Sequence, residues 1–210
     1  MADGDPNDIR RERATLIVEI AVAMPVTVAL WFAIDRGLPP IAGMDDPLAR
    51  LDFAIKCCCV AILFSFVTAI EAVAHERLRS PALDPLKGYE TQRMKINLRY
   101  LQHTLEQLMV FVPGLLGLAV YCPDGSTMRA VAATTVVWVL ARIAFWIGYH
   151  FGARHRAIGA PGKILGIGML IYVAWRFGYD VAGYPGAFAP IAVFAAAEAF
   201  LTYATRPRKA

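Results

Sequence analysis

Six runs of mainly apolar residues constrain this chain more than any motif in it: Leu16–Ile34, Phe53–Ala74, Thr104–Tyr121, Met128–Phe151, Ile164–Phe177 and Ala187–Tyr203. A membrane-spanning helix needs about 20 such residues, each advancing about 1.5 Å across a hydrocarbon layer about 30 Å thick. The first four runs meet or approach that length, the third after a polar helical lead from Tyr89. The fifth is short and glycine-rich, so the last two are expected to form either two spans or a pair of tilted, partly interfacial helices. Composition agrees. Of 210 residues, 58% are apolar and 18% charged, whereas a soluble domain carries about 25% charged residues. A single soluble core of this size cannot hide that excess. The predicted fold is all-α, a polytopic membrane helix bundle. No linker or low-complexity segment divides it, so residues 1–210 read as one membrane domain.

Several function classes drop out. The net charge of +4 is spread between the apolar runs and never forms one stripe, so no nucleic-acid partner is expected. Cys57, Cys58 and Cys59 are consecutive and lack metal-ligand spacing, and no metal site is predicted. Cys122 falls in an outer loop, where oxidation would need a partner from another subunit. Arg10, Arg11 and Arg13 precede an apolar run of full spanning length without a cleavage pattern, so the first span reads as a retained anchor. With the N-terminus inside, Arg77, Arg79, Lys87, Arg93, Lys95, Arg154, Arg156, Lys163, Arg206, Arg208 and Lys209 also lie inside. Only Arg36, Arg50, Lys56, Arg129 and Arg176 lie outside. This asymmetry predicts both termini in the cytoplasm.

Ionisable side chains at membrane depth cost at least about 2.5–3.5 kcal/mol on insertion scales, so each needs a partner or a wet cavity. They are Glu19, Glu71, Glu106, Arg142 and Glu198. Arg99, His103 and Glu106 stand at i, i+4 and i+7, on one helical stripe. Arg142, Tyr149 and Arg156 recur every seven residues on a second, with Phe145 between the first two. Glu106 and Arg142 are the expected pair between these helices. The stripes admit two readings. One is helix-to-helix adhesion with arginines reaching to the interface. The other is a cationic, hydroxyl-bearing pocket at the membrane surface, suited to a small anion with carboxylates.

Two segments carry a family resemblance. One is Arg99-Tyr-Leu-Gln-His103-Thr-Leu-Glu106-Gln107-Leu-Met-Val-Phe111-Val-Pro113, and the other is Arg142-Ile-Ala-Phe145-Trp-Ile-Gly148-Tyr149, followed by Arg156. In order, spacing and placement on consecutive spans they resemble the MAPEG family, the membrane-associated proteins of eicosanoid and glutathione metabolism, in a bacterial-type form. The likeness covers roughly residues 53–177, a four-helix unit, and leaves one extra span at each end.

That resemblance implies a homotrimer in an inner or endoplasmic membrane, here a bacterial inner membrane. Glutathione is its co-substrate, bound between subunits near the cytoplasmic surface, and a hydrophobic small molecule arrives from the membrane lipid. Position by position it makes Arg99, Glu106 and Tyr149 glutathione contacts and Arg156 the arginine that stabilises the thiolate. Arg79 matches an arginine at the end of the first family helix. His103 stands where the family has asparagine and keeps a donor and an acceptor. Phe145 stands where many members have tyrosine, which removes one hydroxyl. The implied activity is a glutathione transferase or peroxidase acting on a hydrophobic electrophile or lipid hydroperoxide. The alternative is a family member that binds lipid or glutathione without catalysis. A small transporter is a third reading, but the prolines and glycines that interrupt the spans do not fall at corresponding positions of two halves.

Overall fold

A computed structural model of the chain describes residues 6–206, without the side chains of residues 6–10, 13 and 153. The side chains of Arg10 and Arg13, and all of Arg208 and Lys209, used above for orientation, lie outside the described residues. Every regular element among the described residues is helical, and five helices are long and apolar enough to cross a membrane. Helix α1 is Pro6–Gly37. Helix α2, Pro47–Ile62, passes through a π-turn, Leu63–Val67, into α3, Thr68–Leu78. Helices α4, Gln92–Tyr121, α5, Arg129–Phe151, and α6, Ala160–Ala204, follow. The expected all-α membrane bundle is the fold observed.

Helices in lipid gain little from the hydrophobic effect and associate by close packing and interhelical hydrogen bonds. Ala54, Cys58 and Ala61 line one face of α2 and are buried, so the middle cysteine of the triplet serves as a small packing residue. They belong to the same core as Phe111, Leu115 and Ala119 of α4 and Trp138 of α5, where Phe111 stacks on Trp138 with ring centroids 4.3 Å apart. Helix α4 meets α6 through glycines: a Cβ on Gly117 would lie 2.8 Å from the methyls of Val173. The π-turn leaves carbonyls out of register, and hydroxyls return to them. Ser65 donates to the Ala61 carbonyl at 2.6 Å and Thr68 to that of Leu63 at 3.1 Å, which keeps the backbone satisfied at membrane depth.

The fifth and sixth apolar runs both fall in α6, and the chain reverses between them. Helical geometry is lost at Ala182 and at Gly183, whose φ of 63° lies in the left-handed region that favours glycine. A Cβ on Gly178 would meet the Gly186 carbonyl oxygen at 2.1 Å, and one on Gly186 the Gly178 oxygen at 2.2 Å. Residues eight apart in a straight helix are separated by about 12 Å, so the two legs run antiparallel. Alternation of the helices gathers the 79–91 connection and the 152–159 segment at one end, here the basic end. The 38–46 and 122–128 loops meet at the other, where the Ile41 amide donates to the Gly125 carbonyl at 3.0 Å.

Candidate functional site

The first stripe forms as expected. Thr91 caps α4: its hydroxyl accepts from the Met94 amide at 3.0 Å and donates to Glu76 at 2.9 Å. Two turns further on, Arg99 Nη1 donates to Gln102 Oε1 at 3.2 Å, and Gln102 Nε2 donates to Glu106 Oε1 at 3.1 Å. The second Glu106 oxygen lies 3.2 Å from His103 Nδ1. Arg99, Gln102 and Glu106 are exposed and His103 is partly so, so the network covers the outer face of the bundle. Gln102 was absent from the sequence expectation. Its position, three residues after Arg99 and four before Glu106, is the signal that identifies it.

The second stripe behaves differently. Arg142 does not pair with Glu106. It is 3% exposed, and its Nη2 donates to Thr104 Oγ1 at 2.9 Å. Its guanidinium lies 4.5 Å from the centroid of Phe145 and 5.3 Å from that of Tyr100. Among the described residues it makes no ion pair. Arg142 therefore faces inward, toward a hydroxyl and two aromatic faces, while Glu106 faces outward, so the expected pairing is corrected. Desolvated cation–π contacts are the physical substitute for the missing carboxylate.

Nor does the seven-residue repeat continue along one helix. Helix α5 ends at Phe151, and Gly152, with φ 145°, redirects the chain into a 3₁₀ segment, Ala153–Gly159. Arg156 sits on that segment yet returns to Tyr149, its guanidinium carbon 5.9 Å from the ring centroid. Phe145 joins the two helices' side chains, with its ring 5.8 Å from Tyr149 and 5.9 Å from His103. The network of Arg99, Gln102, His103 and Glu106 on α4 is thus joined to Tyr149 and Arg156 through the contact of His103 with Phe145. Together they offer two arginines, a phenol, an imidazole and one carboxylate, a set suited to an anionic ligand that also carries an ammonium.

Arg79 lies elsewhere in the chain. It lines a cleft of about 580 Å³ with His75, Glu76, Arg93, Asn97 and His150. Glu76 is held there by Arg93 at 3.3 Å, and the buried Asn97 Oδ1 accepts from Trp146 at 3.0 Å and lies 3.2 Å from His150. No hydrogen bond or ion pair links Arg79 to the Arg99 network among the described residues. Cys122 opens the outer loop, as expected. It is buried, its thiol 3.4 Å from the Thr127 carbonyl, and burial raises its pKa, which opposes oxidation. No cluster of three or more potential metal ligands occurs among the described residues.

A helical membrane bundle with a cationic, aromatic face at one end is the class that fold and site define together. The MAPEG family model matches residues 54–179, more than half of the chain and nearly the segment expected. The chain belongs to the MAPEG family. It is also similar to an uncharacterized protein of the cyanobacterium Synechocystis, sll1147, with 36% identity over 84 residues. That match covers 38% of this chain and 58% of the relative. No solved structure matches the chain. Helix α1 and the second leg of α6 lie outside the family match.

Proposed function

We propose that the protein is a bacterial inner-membrane glutathione transferase or peroxidase that acts on a hydrophobic electrophile or lipid hydroperoxide. The observation that carries this reading is the run of contacts that joins the two stripes: His103 and Tyr149 both meet Phe145, Arg156 lies over Tyr149, and Glu106 joins His103 to Arg99 through Gln102. The basic residues collected at that end favour its placement in the cytoplasm, with both termini, by the positive-inside rule. Arg99 supplies a forked, charge-assisted donor for a glutathione carboxylate. Glu106 is turned outward and accepts the ligand's ammonium, with Gln102 and His103 fixing its two oxygens. Because this face is open, a neighbouring copy in a homotrimer closes it. Arg79, which faces a separate cleft of its own chain, reaches such a site only from that neighbour.

Arg156 and Tyr149 act at the sulfur. The thiolate is the nucleophile, and a nearby guanidinium favours it over the thiol, whose ordinary pKa is about 8.5. In conjugation the thiol proton leaves to solvent, the sulfur lone pair forms the carbon–sulfur bond, and the electrophile's leaving group or π-electron pair is displaced. In peroxide reduction the thiolate attacks the terminal peroxide oxygen and releases an alcohol. A second glutathione then attacks that sulfur and releases water, so two thiols become one disulfide. The hydrophobic substrate arrives from the lipid beside Phe145.

Phe145 favours one rival. Its ring is engaged by Arg142 at 4.5 Å, so it supports the bundle and offers no hydroxyl to a ligand. That fits a glutathione- or lipid-binding protein without turnover. Calorimetry with glutathione and turnover of an electrophilic dye and of a fatty-acid hydroperoxide separate the two. Arg156→Ala is expected to lower kcat by about tenfold to a hundredfold at neutral pH, and much less at alkaline pH where the thiol ionises unaided. Binding without turnover in the wild type overturns the enzyme reading and establishes the rival.

A further inference from the structure

Helix α1 lies outside the matched family unit, yet it touches the segment that carries Arg156. Glu19 of α1 and His155 of the 3₁₀ segment share a short hydrogen bond between a carboxylate oxygen and Nδ1. Both side chains are largely buried, with 15% and 31% exposure. The other imidazole nitrogen, Nε2, accepts from Arg154 Nε at 3.1 Å. An imidazole that accepts at Nε2 carries its proton on Nδ1, so the hydrogen bonds run from the Arg154 guanidinium through His155 to the Glu19 carboxylate.

The main chain of the same residue is held from the other side. A Cβ on Gly148 would lie 2.2 Å from the His155 carbonyl oxygen, and one on Gly159 would lie 2.3 Å from Phe145 Cβ. Two glycines thus let the 3₁₀ segment lie directly on α5, while Glu19 holds its side chain from α1. The residue between these restraints and the sulfur-facing position is Arg156, next in sequence after His155 and 5.9 Å over Tyr149.

We infer that Glu19 is a positioning residue: through His155 it holds the Arg156 segment on α5, so the helix added to the family unit sets the geometry of the site. Glu19 touches no substrate in this arrangement. A carboxylate in a membrane helix needs a partner, and here the partner is the residue beside the proposed catalytic arginine. The inference rests on the proposed role of Arg156, and its test has one arm that does not.

Leucine at position 19 suits a membrane helix, so Glu19→Leu is expected to fold and to melt near the wild type in detergent. Tryptic cleavage after Arg154 and Arg156, mapped by mass spectrometry, should accelerate by about tenfold or more, because cleavage follows the population of the released segment. With glutathione and an electrophilic dye, kcat should fall by about tenfold while KM for glutathione stays within about twofold. Glu19→Gln keeps an acceptor for Nδ1–H and should recover most of both losses. So should the reciprocal pair, Glu19→His with His155→Glu.

Unchanged cleavage in Glu19→Leu overturns the inference. So does a fall in kcat matched by an equal loss of glutathione binding, or by a lowered melting temperature that Glu19→Gln does not rescue. Arg156→Ala is assayed in parallel. If it leaves kcat unaltered, the reading of the site fails together with the kinetic half of this inference, and the cleavage arm alone decides whether Glu19 holds the segment.

Discussion

Arg99 and Arg142 both project from apolar helices of the same bundle, yet they end in opposite environments. Arg99 lies in an exposed chain of polar side chains, Arg99 to Gln102 to Glu106, all on one helix. Arg142 is buried between Thr104 of α4 and the faces of Tyr100 and Phe145. Helical spacing orders the first stripe correctly and the second only as far as Tyr149, since α5 ends two residues later, and it carries no information about which way a stripe faces. Direction is set by the neighbours a helix packs against. A stripe whose contacts lie within one helix can be read along the chain, whereas one whose contacts lie on other helices cannot.

The sharpest test of that contrast is stability. Arg142→Ala removes a charge-assisted hydrogen bond and two desolvated cation–π contacts, and a loss of about 3 kcal/mol or more is expected in detergent unfolding. Arg142→Met keeps the aliphatic volume and should lose less. A double-mutant cycle with Thr104→Val should show a coupling of about 1–2 kcal/mol, whereas a cycle with Glu106→Gln should show less than about 0.5 kcal/mol. Strong coupling to Glu106 would restore the rejected pair and erase the difference between the two regions.

Gly148→Ala probes where the second stripe breaks. Its Cβ would sit 2.2 Å from the His155 carbonyl oxygen, so the 3₁₀ segment must lift from α5. A cost of about 1–3 kcal/mol is expected, with lower turnover. The equivalent change on the first stripe, at any exposed position of 99–106, meets no such obstacle.

On the exposed stripe itself the effect should appear in binding. Arg99→Ala is expected to raise KM for glutathione about tenfold through loss of a charge-assisted contact, with kcat and its pH dependence little changed. Stability should stay within about 0.5 kcal/mol of the wild type. A loss of stability as large as that of Arg142→Ala would show that Arg99 is buried after all.

The smallest effect expected is at the opposite end of the bundle. Burial raises the Cys122 thiol pKa, so the folded protein favours the neutral thiol. That contribution to stability is complete below the unfolded thiol's pKa of about 8.5 and is lost as pH rises above it. Iodoacetamide labelling of Cys122 at pH 8.5 should accordingly be several times slower in the folded protein than after denaturation.

Much of the molecule was determined by sequence alone. The apolar runs identify the membrane helices because backbone polar groups in lipid must be satisfied within the segment, which makes each span a local property. The Arg99–His103–Glu106 face is local in the same sense, carried by residues within two turns of each other. What only the tertiary structure decided depends on contacts between distant residues. The close packing of the two α6 legs follows from the approach of Gly178 to Gly186. The burial of Arg142 follows from Tyr100 and Thr104, and that of Cys122 from the packing of its loop. The partnership of Glu19 with His155 joins residues 136 positions apart. No periodicity reports such contacts, because which groups meet across helices is fixed by packing shape and by where glycine lets two backbones touch.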